Sequence, residues 1–218
     1  MSEPTPITIL HLSDIQFGQK HQFGRLALGD PDAAFDTLLE RLTQDLDQLR
    51  DEHGLKPDLL VVSGDLAEWG RKSEFEDALK FLAHLAEHLG LARRRVVVVP
   101  GNHDVSRKLC ESYFNECEGR ETEPERPFWK KWEFFQAMLQ EFYRDEPDLA
   151  FVPGEPWTWY KLEDLRVVVA GLNSTMPEIH GDEAAHTAIK AATDPPCDAY
   201  RRWIHDRTCG HFGRCGER

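Results

Sequence analysis

The sequence predicts an α/β fold, a β-sheet core with helices on its faces. Three observations carry this expectation. Residues 7–12, 59–62 and 96–99 are short apolar runs that each end in a polar cluster. The two intervening stretches repeat apolar residues at helical spacing. Residues 59–62 and 96–99 are continuously apolar rather than alternating, which suits a parallel sheet covered on both sides.

Taken in order, residues 7–12 close on Ser13-Asp14 and read as a buried strand. A polar loop follows to Asp30. Asp30-Pro31-Asp32 opens a helix, because proline tolerates the first turn and acids suit the positive end of the helix dipole. Phe35, Leu38, Leu39, Leu42, Leu46 and Leu49 form its apolar face, and Gly54 stops it. Leu59 to Val62 is a second strand, ending in Ser63-Gly64-Asp65. Phe75, Ala78, Leu79, Leu82, Leu85 and Leu89 mark a second amphipathic helix closed by Gly90. Residues 96–99 form a third strand, ending in Pro100-Gly101-Asn102-His103-Asp104. Strand–helix–strand units of this length imply parallel strands.

Residues 105–126 are rich in charge, with 118–126 reading as an exposed loop. Phe128, Trp132, Phe135, Leu139 and Phe142 follow helical spacing, which reads as core packing rather than a base-stacking platform. Residues 157–162 and 166–172 read as strands joined at Glu163-Asp164. After about Thr187 no period is sustained. The expected organisation is one domain over residues 1–186, with a helical insertion at about 105–147, and an irregular tail at 187–218.

Apolar residues make up 40% and charged residues 30% of the 218, a balance that favours a packed soluble domain over disorder. No apolar run approaches the roughly 20 residues that cross a bilayer, and residues 1–6 lack the pattern of a secretory leader. The expectation is therefore a cytoplasmic protein without a membrane span. The net charge of −13 opposes nucleic acid on average, and Arg93-Arg94-Arg95 reads as a solvated loop. Cys110 and Cys117 read as buried thiols. Cys197, Cys209 and Cys215 crowd the end, where Cys209, His211 and Cys215 match no standard zinc spacing.

In a parallel sheet the polar strand ends share one edge, where open α/β folds bind ligands. Asp14, Asp65, Asn102, His103 and Asp104 therefore converge on paper. Carboxylate and amide oxygens with an imidazole suit Mn²⁺, iron or Zn²⁺ better than Ca²⁺. Glycine before Asp65 and before Asn102 permits the sharp turns that aim those side chains inward. An Asp at one strand end is ordinarily a turn or cap residue; the ordered set across three strands is what points to a site.

The segments HLSDIQFG (11–18), VVSGDLAEWG (61–70) and VVVPGNHDV (97–105) resemble the first three motifs of calcineurin-like metallophosphoesterases, and AGLNST (170–175) is similar to a later strand end of that domain. The resemblance implies the front half of a four-layer sandwich and a metal-dependent hydrolase of phosphate esters. It implies two divalent metal ions (Mn²⁺, Fe²⁺/Fe³⁺ or Zn²⁺) with Asp14 on the first, Asp65 bridging and Asn102 on the second. A bridging hydroxide would attack phosphorus, His103 would act as general acid, and Asp104 would orient its imidazole.

Two departures qualify the likeness. Gln16 stands where the family has histidine, so its amide oxygen would be the candidate ligand. The family's later histidine motifs are missing; Gly210-His211-Phe212-Gly213 resembles one of them in two letters, which reads as coincidence. Loss of period and of those motifs together give the expectation that residues after about His186 do not continue the domain. His180 and His186 read as surface histidines that could instead contact substrate, His84 and His88 as packing or surface, and His11 as a core histidine. The expected partner is a small phosphate ester, a cyclic nucleotide among the options. The alternatives are a catalytically impaired binding or regulatory module and a nuclease-type phosphodiesterase, the latter disfavoured by the acidic charge.

Overall fold

The computed structural model describes residues 6–19, 21 and 38–179. Strands β1 (Ile9–Leu12), β2 (Leu59–Val62) and β3 (Val96–Val98) form a parallel sheet in that spatial order. The register pairs Leu12 with Val62 and Val62 with Val98, so the three carboxyl ends finish level on one edge. Leu10, Leu12, Leu60, Val62, Val96 and Val98 share one face by this register, and that face belongs to the core. On the opposite face β1 is open, with Ile9 and His11 exposed. His11 is therefore not the core histidine expected; its Nε2 lies 2.7 Å from the Ser63 hydroxyl at the end of β2.

Helix α1 (Leu38–His53) lies beside α2 (Lys72–Leu89). The start of α1 expected at Asp30, and Phe35, lie outside the described residues. Leu38, Leu39, Leu42 and Leu46 pack on the core, whereas Leu49 is exposed, so the apolar face stops a turn early. Helix α2 buries Phe75, Ala78, Leu82, Leu85 and Leu89. At its start the Glu74 carboxylate reaches back to accept the amides of Trp69 and Arg71 at 2.9 and 3.0 Å, satisfying donors that the helix leaves free. Its end is Gly90, whose φ of +66° supplies the left-handed residue that closes a helix.

The run Arg93–Arg95 is a single 3-10 turn rather than a solvated loop. Arg94 pairs with Glu146, Arg95 pairs with Asp164 and donates to the Asp58 carbonyl, and Arg93 stacks on Phe142. The three guanidinium groups clamp the entry to β3 and are spent on that task.

The expected insertion contains α3 (Arg107–Gly119), a 3-10 turn (Trp129–Trp132) and α4 (Glu133–Phe142), which packs on α2. Trp132, Phe135, Leu139 and Phe142 are buried, as core packing requires. Phe128 precedes the helix at φ +60°, so the helical spacing that includes it spans two different elements. Cys110 and Cys117 are buried free thiols. Strands β4 (Trp157–Leu162) and β5 (Val167–Leu172) form an antiparallel hairpin as expected, but in a sheet of their own.

The far side of β3 is where these two sheets meet. The amide of Val99 bonds the Val62 carbonyl of β2, so the alternate residues Val96 and Val98 turn their polar groups outward. Tyr143 donates to the Val96 carbonyl at 2.5 Å. The Tyr160 hydroxyl donates to the Val98 carbonyl at 2.9 Å and accepts its amide at 3.3 Å. Both hydroxyls are buried, and burial pushes both phenols above their ordinary pKa. Among the described residues no helix is long and apolar enough to cross a membrane.

Candidate metal centre

Backbone bonds bring the tips of β1 and β2 together. Asp14 N donates to Gly64 O at 3.3 Å, Gln16 N to Asp65 O at 2.8 Å and Phe17 N to Leu66 O at 2.7 Å. Three residues in these turns occupy the left-handed region without being glycine: Asp14 at φ +56°, Gln16 at +51° and Asp65 at +56°. Such conformations cost on the order of 1–3 kcal/mol each and cluster where function demands them. Asp and Asn tolerate that region best, so Gln16 is the least comfortable of the three.

The tips of β2 and β3 meet through glycine. Gly64 has φ +108°, and a Cβ there would lie 2.7 Å from both Cα and N of Gly101. A Cβ on Gly101 would lie 2.5 Å from the Asp65 amide nitrogen and closer still to its Oδ1. Side chains at either position would push the two loops apart. The close approach lets the Asp65 Oδ1 accept the His103 amide at 2.9 Å.

The His103 imidazole is oriented by a group no sequence signal revealed. Its Nδ1 lies 2.8 Å from the Glu68 carbonyl oxygen. A carbonyl only accepts, so Nδ1 carries hydrogen and Nε2 is the nitrogen left to exchange a proton. Asp104, expected to orient this ring, has its carboxylate bonded elsewhere. That residue is fully buried and its two oxygens accept the amides of Ala67 at 2.8 Å and Gly101 at 2.9 Å. Asp104 thus staples the loop after β2 to the loop after β3. Burial pushes its carboxyl up to about 7, with the two amides and that of Asp65 pulling the other way.

A cavity of about 630 Å³ opens on this edge. Ser63, Asp65 and Asn102 line its strand-end side, and Arg107, Ser174 and Glu178 line the rest. The turn that carries Ser174 and Glu178 is held from behind. Asn173 Oδ1 accepts the amide and hydroxyl of Thr175 at 3.0 and 2.7 Å, the self-capping typical of Asn after a strand. Trp132 Nε1 donates to the Thr175 hydroxyl at 2.9 Å. The buried Lys131 ammonium donates to the carbonyls of Thr175, Met176 and Glu178 at 2.9, 2.8 and 2.7 Å, using all three hydrogens. Burial lowers its pKa to about 8. Replacing Lys131 with Met leaves these carbonyls without their donor and should cost about 1–3 kcal/mol. Urea denaturation checks it; an unchanged midpoint would show that the strut carries no weight.

Asp65 and Asn102 line this cavity; Asp14 and Gln16 are tied to its rim by the backbone bonds above. The donors present are carboxylate and amide oxygens with one imidazole, a set that fits a hard or borderline divalent cation. It is a sparse set: among the described residues no three His, Cys, Asp or Glu side chains gather to hold a metal. His84 and His88 are exposed on α2, with His88 paired to Asp47. His180, His186, Cys197, Cys209, His211 and Cys215 lie outside the described residues, as does the tail at 187–218. Arg107 and Glu178, both on the cavity, were not marked out by any motif. Only the convergence of α3 with the turn after β5 exposes them.

The family model for the calcineurin-like phosphoesterase matches residues 7–200. The chain is 34% identical over 77 residues to the uncharacterized metallophosphoesterase-like protein YydB of Bacillus subtilis (strain 168), covering 34% of this chain and 15% of that protein. It is 31% identical over 111 residues to the cAMP/cGMP dual specificity phosphodiesterase MT0825 of Mycobacterium tuberculosis (strain CDC 1551 / Oshkosh), covering 50% of this chain and 30% of that protein. The chain thus spans less than a third of the length of these curated relatives.

Proposed function

The chain belongs to the calcineurin-like phosphoesterase family, and from that premise we propose that it is a metal-dependent hydrolase of small phosphate esters. The observation that carries this reading is that Asp65 and Asn102 line one cavity while the Asp65 carboxylate accepts the backbone amide of the adjacent His103. Asp14, Asp65 and Asn102 would supply oxygen ligands for two divalent ions, with the Gln16 amide as a further candidate. The chemistry that divalent ions would supply there is withdrawal of charge from phosphoryl oxygens and acidification of water.

The protein's own groups do the rest. The Glu68 carbonyl fixes the His103 ring through Nδ1, which leaves Nε2 to protonate the departing alkoxide. Asp104 keeps the loops after β2 and β3 in register by holding Ala67 and Gly101. The likeness to a cAMP/cGMP phosphodiesterase supports a phosphodiester, cyclic nucleotides included, as the substrate class.

A second reading, a catalytically impaired binding module, is favoured by the sparse donor set and by Gln16 in place of histidine. One comparison separates them. With Mn²⁺ present, about two equivalents per chain should bind and bis-p-nitrophenyl phosphate should turn over; chelation with EDTA should abolish turnover and Mn²⁺ should restore it. A folded protein that binds Mn²⁺ yet hydrolyses nothing would replace the first reading with the second.

A further inference from the structure

The cavity's outer wall carries one charge of each sign. Arg107, the first residue of α3, brings a guanidinium, and Glu178 brings a carboxylate from the turn after β5. Glu178 is not a loose surface group. Its carbonyl is gripped by Lys131 and its amide bonds the Thr175 carbonyl at 3.1 Å, so its backbone is fixed at the wall. Ser174 on the same wall and Ser63 on the strand-end side add hydroxyls but no charge.

We propose that Arg107 and Glu178 act as a charge filter that admits phosphodiester monoanions and rejects monoester dianions, an inference that rests on the hydrolase reading above. A guanidinium presents two parallel donors that match the two non-bridging oxygens of a phosphate group. A diester has only those two charged oxygens, and its second ester group is neutral. A monoester adds a third anionic oxygen, and in a cavity partly shielded from water its repulsion by Glu178 is strong enough to discriminate. The hydroxyls of Ser63 and Ser174 suit the polar neutral substituent that a diester carries there. Arg107 thus positions the substrate, and Glu178 sets its class.

The test measures binding as well as turnover. Dimethyl phosphate and methyl phosphate are titrated calorimetrically at pH 8 into Mn²⁺-loaded protein, using wild type, Glu178→Gln, Arg107→Ala and Arg107→Lys. Wild type should prefer dimethyl phosphate. Glu178→Gln should shift the preference toward methyl phosphate by about tenfold or more. Arg107→Ala should weaken both ligands by about tenfold or more, and Arg107→Lys should recover part of that loss because it keeps the charge without the fork. Wild-type preference for methyl phosphate, or an unchanged ratio in Glu178→Gln, overturns the filter. The matching readout is kcat/KM on bis-p-nitrophenyl and p-nitrophenyl phosphate. Binding with the expected ratios but no turnover of any ester would remove the hydrolase reading and leave the filter; turnover with an unaltered ratio in Glu178→Gln would remove the filter alone.

Discussion

Replacing His103 with Ala should lower kcat by about 10²–10⁴-fold while leaving Mn²⁺ stoichiometry unchanged, the range by which a positioned general acid accelerates proton transfer. The main-chain amide of residue 103 survives the change, so its bond to Asp65 persists and the proposed cation ligands are undisturbed. The size of the loss should depend on the leaving group. A p-nitrophenolate departs readily without a proton, whereas an alkoxide needs one. Steady-state kinetics on bis-p-nitrophenyl phosphate and on a diester with an alkyl leaving group should show the larger fall for the second. Equal falls would assign His103 a role other than proton donor, and an unaffected rate would remove it from the chemistry.

The second large effect concerns the paired glycines. Gly64→Ala would force an alanine into φ +108° with its Cβ 2.7 Å from the Gly101 backbone. Gly101→Ala would drive a methyl group into Asp65 itself. Relief requires the two strand tips to separate, and strain and overpacking together should cost roughly 3 kcal/mol or more in either variant. Mn²⁺ affinity should fall with stability, because the displaced atoms belong to the Asp65 carboxylate and its turn. Gly119→Ala serves as the control: nothing lies within 4 Å of a Cβ there, so urea denaturation should find it nearly neutral. Near-normal stability and Mn²⁺ binding in Gly64→Ala would mean that the tips need not approach so closely.

Much of the front of this fold was legible because each element carried a self-sufficient signal. Three apolar strands, two periodic helices and the glycines before Asp65 and Asn102 needed no distant partner to be recognised. What the sequence hid was relational. That the Glu68 carbonyl, rather than the Asp104 carboxylate, orients His103 depends on how two loops cross, and a main-chain oxygen leaves no mark in composition. His11 looked like a core residue because it sits in an apolar strand, but β1 has one open face. Arg93–Arg95 looked solvated because its carboxylate partners, Glu146 and Asp164, lie 52 and 69 residues away. Lys131, a charged residue beside Trp132, gave no hint that it would be buried beneath a turn some 45 residues later.

The two tyrosine hydroxyls on β3 have a consequence for how the cavity is built. They end the parallel sheet chemically: the outward polar groups of Val96 and Val98 are already satisfied, so no further strand can dock there. The hairpin that leads into the turn of Ser174 and Glu178 is moored to β3 by side chains instead of by a shared ladder. One wall of the cavity can therefore change its sequence and spacing without disturbing the register that aligns Asp14, Asp65 and Asn102.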